Sequence, residues 1–161
     1  PAARTTTTWA KQMSDLPVVN TTPNNGELHY SEGKFIGYRA WKKSGATPLI
    51  PFGHGLSYTT FTSELISADK SVAKVKVMNT GNRAGAHIVQ IYAQLENAQS
   101  FERRLAGFVK VSLQPSESAV VEVSLEPLVF KHFSNGWQDV AGKWIISLAE
   151  NAFEQGTSVI V

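Results

Sequence analysis

The second half of the chain alternates. Ala73, Val75 and Val77 are apolar, and Lys74 and Lys76 sit between them. A side-chain period of two is the mark of a strand with one buried face. Asn79-Thr80-Gly81-Asn82 then reads as a turn. Ala86 to Leu95 predicts a second strand, and Leu105 to Leu113 a third. Ala119 to Leu125 predicts a fourth, with Val121, Val123 and Leu125 on one face. Lys143 to Leu148 places Trp144, Ile146 and Leu148 on one side, and Thr157 to Val161 closes the chain. About seven short strands in about 100 residues, punctuated by Gly, Pro and Asn and without helical period, predict an antiparallel β-sandwich of immunoglobulin-like layout. Trp144, Phe108, Tyr92 and the Val/Ile positions are its expected core.

Residues 1–29 lack this signal. They hold Thr5 to Thr8, Pro17, Pro23 and an Asn24-Asn25-Gly26 turn, so they predict irregular chain with one short helical turn near Ala10 to Met13. Asn20-Thr21-Thr22 matches the glycan acceptor pattern, meaningful only in a eukaryotic secretory host. The chain opens on Pro1 without an initiator Met and reads as part of a longer polypeptide.

Composition narrows the function classes. The 161 residues suffice for one domain and a piece of another, and 42% apolar with 17% charged residues is a globular balance. Net charge is only +2, with no clustered basic face, which argues against nucleic acid as a partner. No apolar run approaches the length of a membrane helix, so no membrane partner is expected. Without cysteine there is no disulfide and no thiolate site. The compartment is left open by that, with a periplasmic or secreted one favoured.

Residues 30–61 concentrate glycines, aromatics and charges, and pose the question of chemistry. Gly53-His54-Gly55-Leu56-Ser57 is neither a dinucleotide fingerprint, since Tyr58 stands where the third glycine is needed, nor a Gly-x-Ser-x-Gly elbow. Its glycines read as a backbone requirement, where the chain turns sharply into a strand. His29, His54, His87 and His132 show no metal-ligand spacing, so neither metal nor other cofactor is expected. Ser57, His54 and Asp69 could be called a triad only without regard to geometry. Glu32 is expected to pair with Arg39 or Lys34, or to accept backbone amides, with a site-lining role as the lesser alternative. Arg39 is expected to anchor the loop through a charge-assisted bond.

These residues carry a resemblance. Tyr30-Ser31-Glu32-Gly33, Gly37-Tyr38-Arg39 and the run Pro51-Phe52-Gly53-His54-Gly55-Leu56-Ser57-Tyr58-Thr59-Thr60-Phe61 are similar to the C-terminal signature of glycoside hydrolase family 3, which includes β-glucosidases and β-xylosidases. The Phe-Gly-x-Gly-Leu-Ser-Tyr-Thr-x-Phe pattern is highly specific to it. Downstream, Glu102 to Leu113 resembles a second family segment. Pro115-Ser116-Glu117 stands where the family usually has Pro-Gly-Glu, so Ser116 departs from the pattern. Thr7-Thr8-Trp9 resembles the segment before the connector.

The resemblance implies a third, fibronectin type III-like domain at residues 62–161, preceded at 1–61 by the tail of an α/β domain and an irregular connector. Residues 1–50 are then expected to wrap the sandwich or stay mobile. It also implies that catalysis lies elsewhere. The family's nucleophile is an aspartate in a Ser-Asp-Trp type motif, whereas the Ser-Asp pair here, Ser14-Asp15, is followed by Leu16. The family's acid/base glutamate lies upstream, and Glu32 does not match its position. No catalytic residue is therefore expected in this chain, and two-carboxylate hydrolysis cannot run without both.

Three functions remain. The first is a structural module bracing the upstream catalytic domains of the same polypeptide. The second is a binding module for plant cell-wall polymer, polysaccharide or lignin. The third is a subunit of a split glycosidase, active only with its catalytic chain. Tyr30, Glu32, Arg39 and His54 are the candidates for loop anchoring or inter-domain contact. Phe130, Phe133 and Trp137 are the candidates for an aromatic binding patch.

Overall fold

The computed structural model describes residues 3–17 and 21–161; the sequon's Asn20 lies outside the described residues. Seven antiparallel strands form the sandwich. One sheet holds β1 (Phe61–Ala68), β2 (Val72–Asn79) and β5 (Ser118–Ser124), in the order β1-β2-β5. The other holds β3 (Gly85–Leu95), β4 (Arg104–Leu113), β8 (Trp144–Leu148) and β9 (Thr157–Ile160), in the order β4-β3-β8-β9. A separate hairpin joins β6 (Lys131–Phe133) to β7 (Trp137–Asp139). The mainly β, antiparallel sandwich expected from the alternation is what the chain forms.

The period-two pattern explains the core. Val75, Val77 and Val123 from one sheet meet Val89, Ile91 and Ile146 from the other, all essentially inaccessible to water. Trp144 closes one end, with its ring edge-on to Phe130 at 5.0 Å. With no cysteine, these apolar contacts stand where a disulfide would otherwise cross the sandwich.

Phe108 departs from expectation. It is 66% exposed. The register between β3 and β4 shifts at Ile91/Tyr92, where Ala106 is passed over and buried as an extra residue. After this bulge the odd positions, Val109, Val111 and Leu113, face the core, so Phe108 points outward with Lys110 and Ser112. Phe130 is also misplaced by its neighbourhood in sequence. A 3-10 turn at Pro127–Phe130 turns both Val129 and Phe130 inward, so Phe130 is core and not part of an exposed patch.

Three elements escape the sequence pattern. β1 is interrupted by a register shift between Leu65 and Ser67, which breaks its alternation. The β6–β7 hairpin occupies a stretch that reads as loop. The connector, expected to be irregular, contains helix α1 (Gly37–Ser44). The expected helical turn near Ala10 to Met13 appears as a 3-10 turn at Met13–Asp15. Ser116, standing where the related family has glycine, adopts a left-handed φ of 62° and donates its backbone N–H to the Asn79 carbonyl at 3.0 Å.

Candidate functional site

β3 is buried on both faces. Val89, Ile91 and Ala93 point into the sandwich, while Gln90 and Tyr92 point the other way. What covers them is the connector. Residues 5–9 run antiparallel to 49–54: the Thr5 amide donates to the His54 carbonyl at 2.8 Å, Gly53 to Thr5 at 2.9 Å, and Trp9 to Ile50 at 2.8 Å. This two-stranded strap and α1 lie on the outer face of the four-stranded sheet. The Phe52 carbonyl accepts from the Ala152 amide at 3.0 Å, and Lys42 Nζ donates to the Ala152 carbonyl at 3.1 Å. Residues 4–9 and 35–54 thus lie over the sandwich, as one of the two expectations for residues 1–50 had it.

A polar seam holds strap to sheet. Gln90 Nε2 donates both to the Gly53 carbonyl at 3.0 Å and to the Glu150 carbonyl at 2.8 Å, and Tyr92 donates its hydroxyl to Gln90 Oε1 at 3.0 Å. Tyr38 lies above Tyr92 at 6.5 Å and stacks on Phe52 at 4.8 Å; its hydroxyl accepts from the Leu105 amide at 2.8 Å. Burial pushes both phenols above the ordinary tyrosine range. The Arg103 guanidinium, buried, sits 4.5 Å from the Tyr92 ring centre and donates to the carbonyls of Glu154 and Gln155. Burial, with Arg103 nearby, lowers the Lys42 ammonium to about 8.

Gly53 explains the Gly-His-Gly-Leu-Ser run. Its φ is +85°, and a side-chain carbon there would collide with Gln90 Oε1 and lie 3.0 Å from the Tyr92 hydroxyl oxygen. The glycine is required by handedness and by contact at once. His54 takes part through its backbone, which bonds Thr5 and Pro51. Ser57, His54 and Asp69 are not brought together. Ser57 accepts from the Thr59 amide, and Asp69 Oδ1 accepts from the Ser71 hydroxyl and the Ser71 and Val72 amides.

A different cluster, spread over the whole chain, does form. Arg4 Nη2 donates to Glu150 Oε2 at 2.6 Å and to His87 Nδ1 at 3.3 Å; His87 Nε2 lies 3.3 Å from Ser63 Oγ and 3.5 Å from Glu150 Oε1. Ser, His and Glu are the residues of a hydrolytic triad, but the wiring is reversed. A guanidinium only donates, so Nδ1 must accept and Nε2 must carry the proton toward Ser63. The imidazole therefore cannot take the serine's proton. The cluster fastens the strap to the sheet. Sequence offers no signal for it, because residues 4, 63, 87 and 150 share no motif.

The cluster predicts a pH dependence. Burial, with Arg4 beside it and against the pull of Glu150, lowers the His87 pKa below the ordinary value of about 6.5. The unfolded chain then takes up the proton first as pH falls. The His87 contribution to stability should be level above neutrality and decline below about pH 6.5. Thermal midpoints measured from pH 8 to 5 check this, and His87→Gln should flatten the slope between pH 6.5 and 5.

Of the other candidates, Tyr30 is 74% exposed and Glu32 half-buried. The expected pairing of Glu32 is not found: Lys34 Nζ reaches Glu102 at 3.8 Å instead, and Arg39 lies 5.2 Å from the Phe35 ring centre. Among the described residues the charge-assisted bond expected of Arg39 is not found either, and its Nε and Nη2 are buried without an acceptor there. Phe133 and Trp137 face each other across the β6–β7 pair at 5.6 Å, edge to face, and both are exposed. Among the described residues no three His, Asp or Glu side chains gather as metal ligands do, and no helix is long and apolar enough to cross a membrane.

Residues 87–158 match the fibronectin type III-like domain family. The whole chain, strap and helix included, overlays on β-glucosidases. It superposes over its full length on DesR, a β-glucosidase from Streptomyces venezuelae, with TM-score 0.90 and 27% identity, covering 23% of that chain. On the β-glucosidase from Kluyveromyces marxianus the TM-score is 0.89 with 29% identity, again over all of this chain and 21% of that one. In sequence it is 36% identical to probable beta-glucosidase I of Aspergillus niger over 98% of its length, and 33% identical to thermostable beta-glucosidase B of Acetivibrio thermocellus over 94%. The chain belongs to the C-terminal region of glycoside hydrolase family 3. It spans about a fifth of the length of the curated relatives it matches. In this family 3 region the connector and the sandwich are shared together, so the strap over Gln90 and Tyr92 is part of what is similar.

Proposed function

We propose that this chain is the non-catalytic C-terminal module of a β-glucosidase-like enzyme, and that it braces the catalytic domains. Residues 1–61 form the tail of the preceding domain and the connector, and residues 62–161 the fibronectin type III-like domain. The observation that carries this reading is the hydrogen-bonded seam between connector and sheet. A segment entering from another domain is bonded at Gly53, Phe52 and Arg4 to the rigid face of a sandwich, so displacement of one is transmitted to the other. The catalytic nucleophile and acid/base of the parent would lie upstream, and no residue here acts on the substrate. Glucosides are the substrates named for the relatives, and a β-glucoside is the parent's proposed substrate.

The test uses the chain alone and the parent polypeptide. The chain alone should not hydrolyse a chromogenic aryl β-glucoside above buffer. Removing residues 62–161 from the parent should lower the thermal midpoint of its catalytic domains by several degrees. An unchanged midpoint would sink the bracing role.

The exposed Phe133–Trp137 pair favours a second reading, a binding module for cell-wall polymer, since sugar and lignin rings stack on such faces. Binding isotherms against cellulose, xylan and lignin, with Trp137→Ala as control, separate it from the first.

A further inference from the structure

The groove between the strap and α1 carries polar groups that the described residues leave without a partner. It encloses about 420 Å³ between Thr6–Thr8 on one side and Ile36–Arg39 on the other, floored by Trp41 and Phe52. Three polar atoms of its lining residues are covered by the chain's own atoms and have no partner among the described residues: Thr8 Oγ1, Arg39 Nε and Arg39 Nη2. A buried donor without an acceptor is disfavoured by about 1–3 kcal/mol, and more when it is charged. Native chains leave few such groups, so Arg39 is poorly satisfied by its own surroundings, and an outside acceptor would meet the guanidinium on the side the chain leaves uncovered.

The charge around the groove says what kind of acceptor. Lys34, Arg39 and Lys43 all lie against the one Phe35 ring, at 5.1, 5.2 and 4.5 Å from its centre. Arg104 is close enough to Arg39 to depress its pKa further, after burial. Glu102 is the only carboxylate paired with any of these cations among the described residues, through Lys34. The surroundings of Arg39 are therefore net positive, and a carboxylate suits them best. The rim is apolar: Ile36 is 62% exposed, and Trp9, next to the strap's Thr8, is 56% exposed. Arginine beside exposed aromatic and aliphatic surface is the composition of a protein interface. The relatives carry about four-fifths of their length outside this region, so polypeptide to cover it is at hand.

We propose that this groove receives an Asp or Glu side chain from the catalytic domains, anchored on the uncovered side of the partly buried Arg39 guanidinium. The proposal rests on the bracing reading and names the contact through which it works. Arg39 is a docking residue and takes no part in catalysis.

Zero-length carbodiimide cross-linking, which joins an amine to a carboxylate only in direct contact, tests it in the parent polypeptide. Arg39→Lys puts a reactive amine at the anchor. Peptide mass spectrometry should find that amine joined to one Asp or Glu outside residues 1–161, and Lys43 in the unaltered parent should give a weaker link to the same segment. Links only to Glu32 or Glu102, or none, would overturn the proposal. So would links between labelled and unlabelled copies, which would assign the groove to a second molecule. If Arg39→Lys fails to fold, the Lys43 link in the unaltered parent still decides. The two readings fail separately. A parent destabilised by loss of residues 62–161, yet giving no link, keeps the bracing role and loses the groove. A parent indifferent to that loss, whatever it cross-links, loses the bracing role.

Discussion

Tyr92→Ala should destabilise the chain by about 3–5 kcal/mol, the range for truncating a buried aromatic side chain. Tyr92 is fully buried, yet it is not part of the sandwich interior. Its ring lies on the outer face of the four-stranded sheet, under Tyr38 and against the Arg103 guanidinium, packed with Phe52, Leu105 and Phe153. Removing it opens a cavity and takes the ring away from a buried cation. The thermal midpoint should fall on the order of 10 °C for a chain of this length. Tyr92→Phe separates the contributions: it keeps the ring and deletes only the hydroxyl bond to Gln90, so its cost should be about 1–2 kcal/mol. If Tyr92→Ala costs no more than Tyr92→Phe, then the connector contributes nothing through this ring. Chemical denaturation followed by tryptophan fluorescence gives both values.

Gly53→Ala is expected to cost about 2–4 kcal/mol, from left-handed backbone strain and overpacking together. The methyl group would meet Gln90 Oε1, the Tyr92 hydroxyl and the Asn151 backbone. Relief requires Gln90 to move, and Gln90 Nε2 holds both Gly53 and Glu150. The damage should therefore spread along the seam. Amide hydrogen exchange reads this directly: Gly53, whose N–H bonds the Thr5 carbonyl, and Ala152, whose N–H bonds Phe52, should both lose protection. Protection unchanged at Ala152 would show that strap and sheet are not coupled there.

The alternation of Val75, Val77, Val121 and Val123 made the sandwich legible, because a half-buried strand needs little more than a period of two. Where the period breaks, legibility ends. The bulge at Ala106 sends Phe108 outward, and the shift between Leu65 and Ser67 hides β1. Helix α1 has eight residues and Ile36 before it, with no side-chain cap, so neither length nor capping chemistry announces it. Phe130 is drawn inward by the turn after Pro127, which no pairwise pattern encodes. The glycines and aromatics of 30–61 pointed to architecture, and Gly53 bears that out in atomic detail. The Arg4–His87–Glu150 cluster was illegible for a simple reason: its members meet only after the fold is made. Arg39 was expected to anchor its loop by a charge-assisted bond, and the described residues instead leave its Nε and Nη2 without an acceptor.

The double burial of β3 also bears on how such a region could be moved between proteins. The fibronectin type III-like family match begins at residue 87, and the sandwich strands begin at Phe61. A transplant cut at either point would leave behind the strap that lies over Gln90 and Tyr92. The recipient would inherit a sheet whose central strand is wet on one face where the donor's is dry on both, and a buried arginine beside it would face solvent. The transferable unit is set by what covers the sheet, and it starts at the strap that carries Arg4 and Thr5.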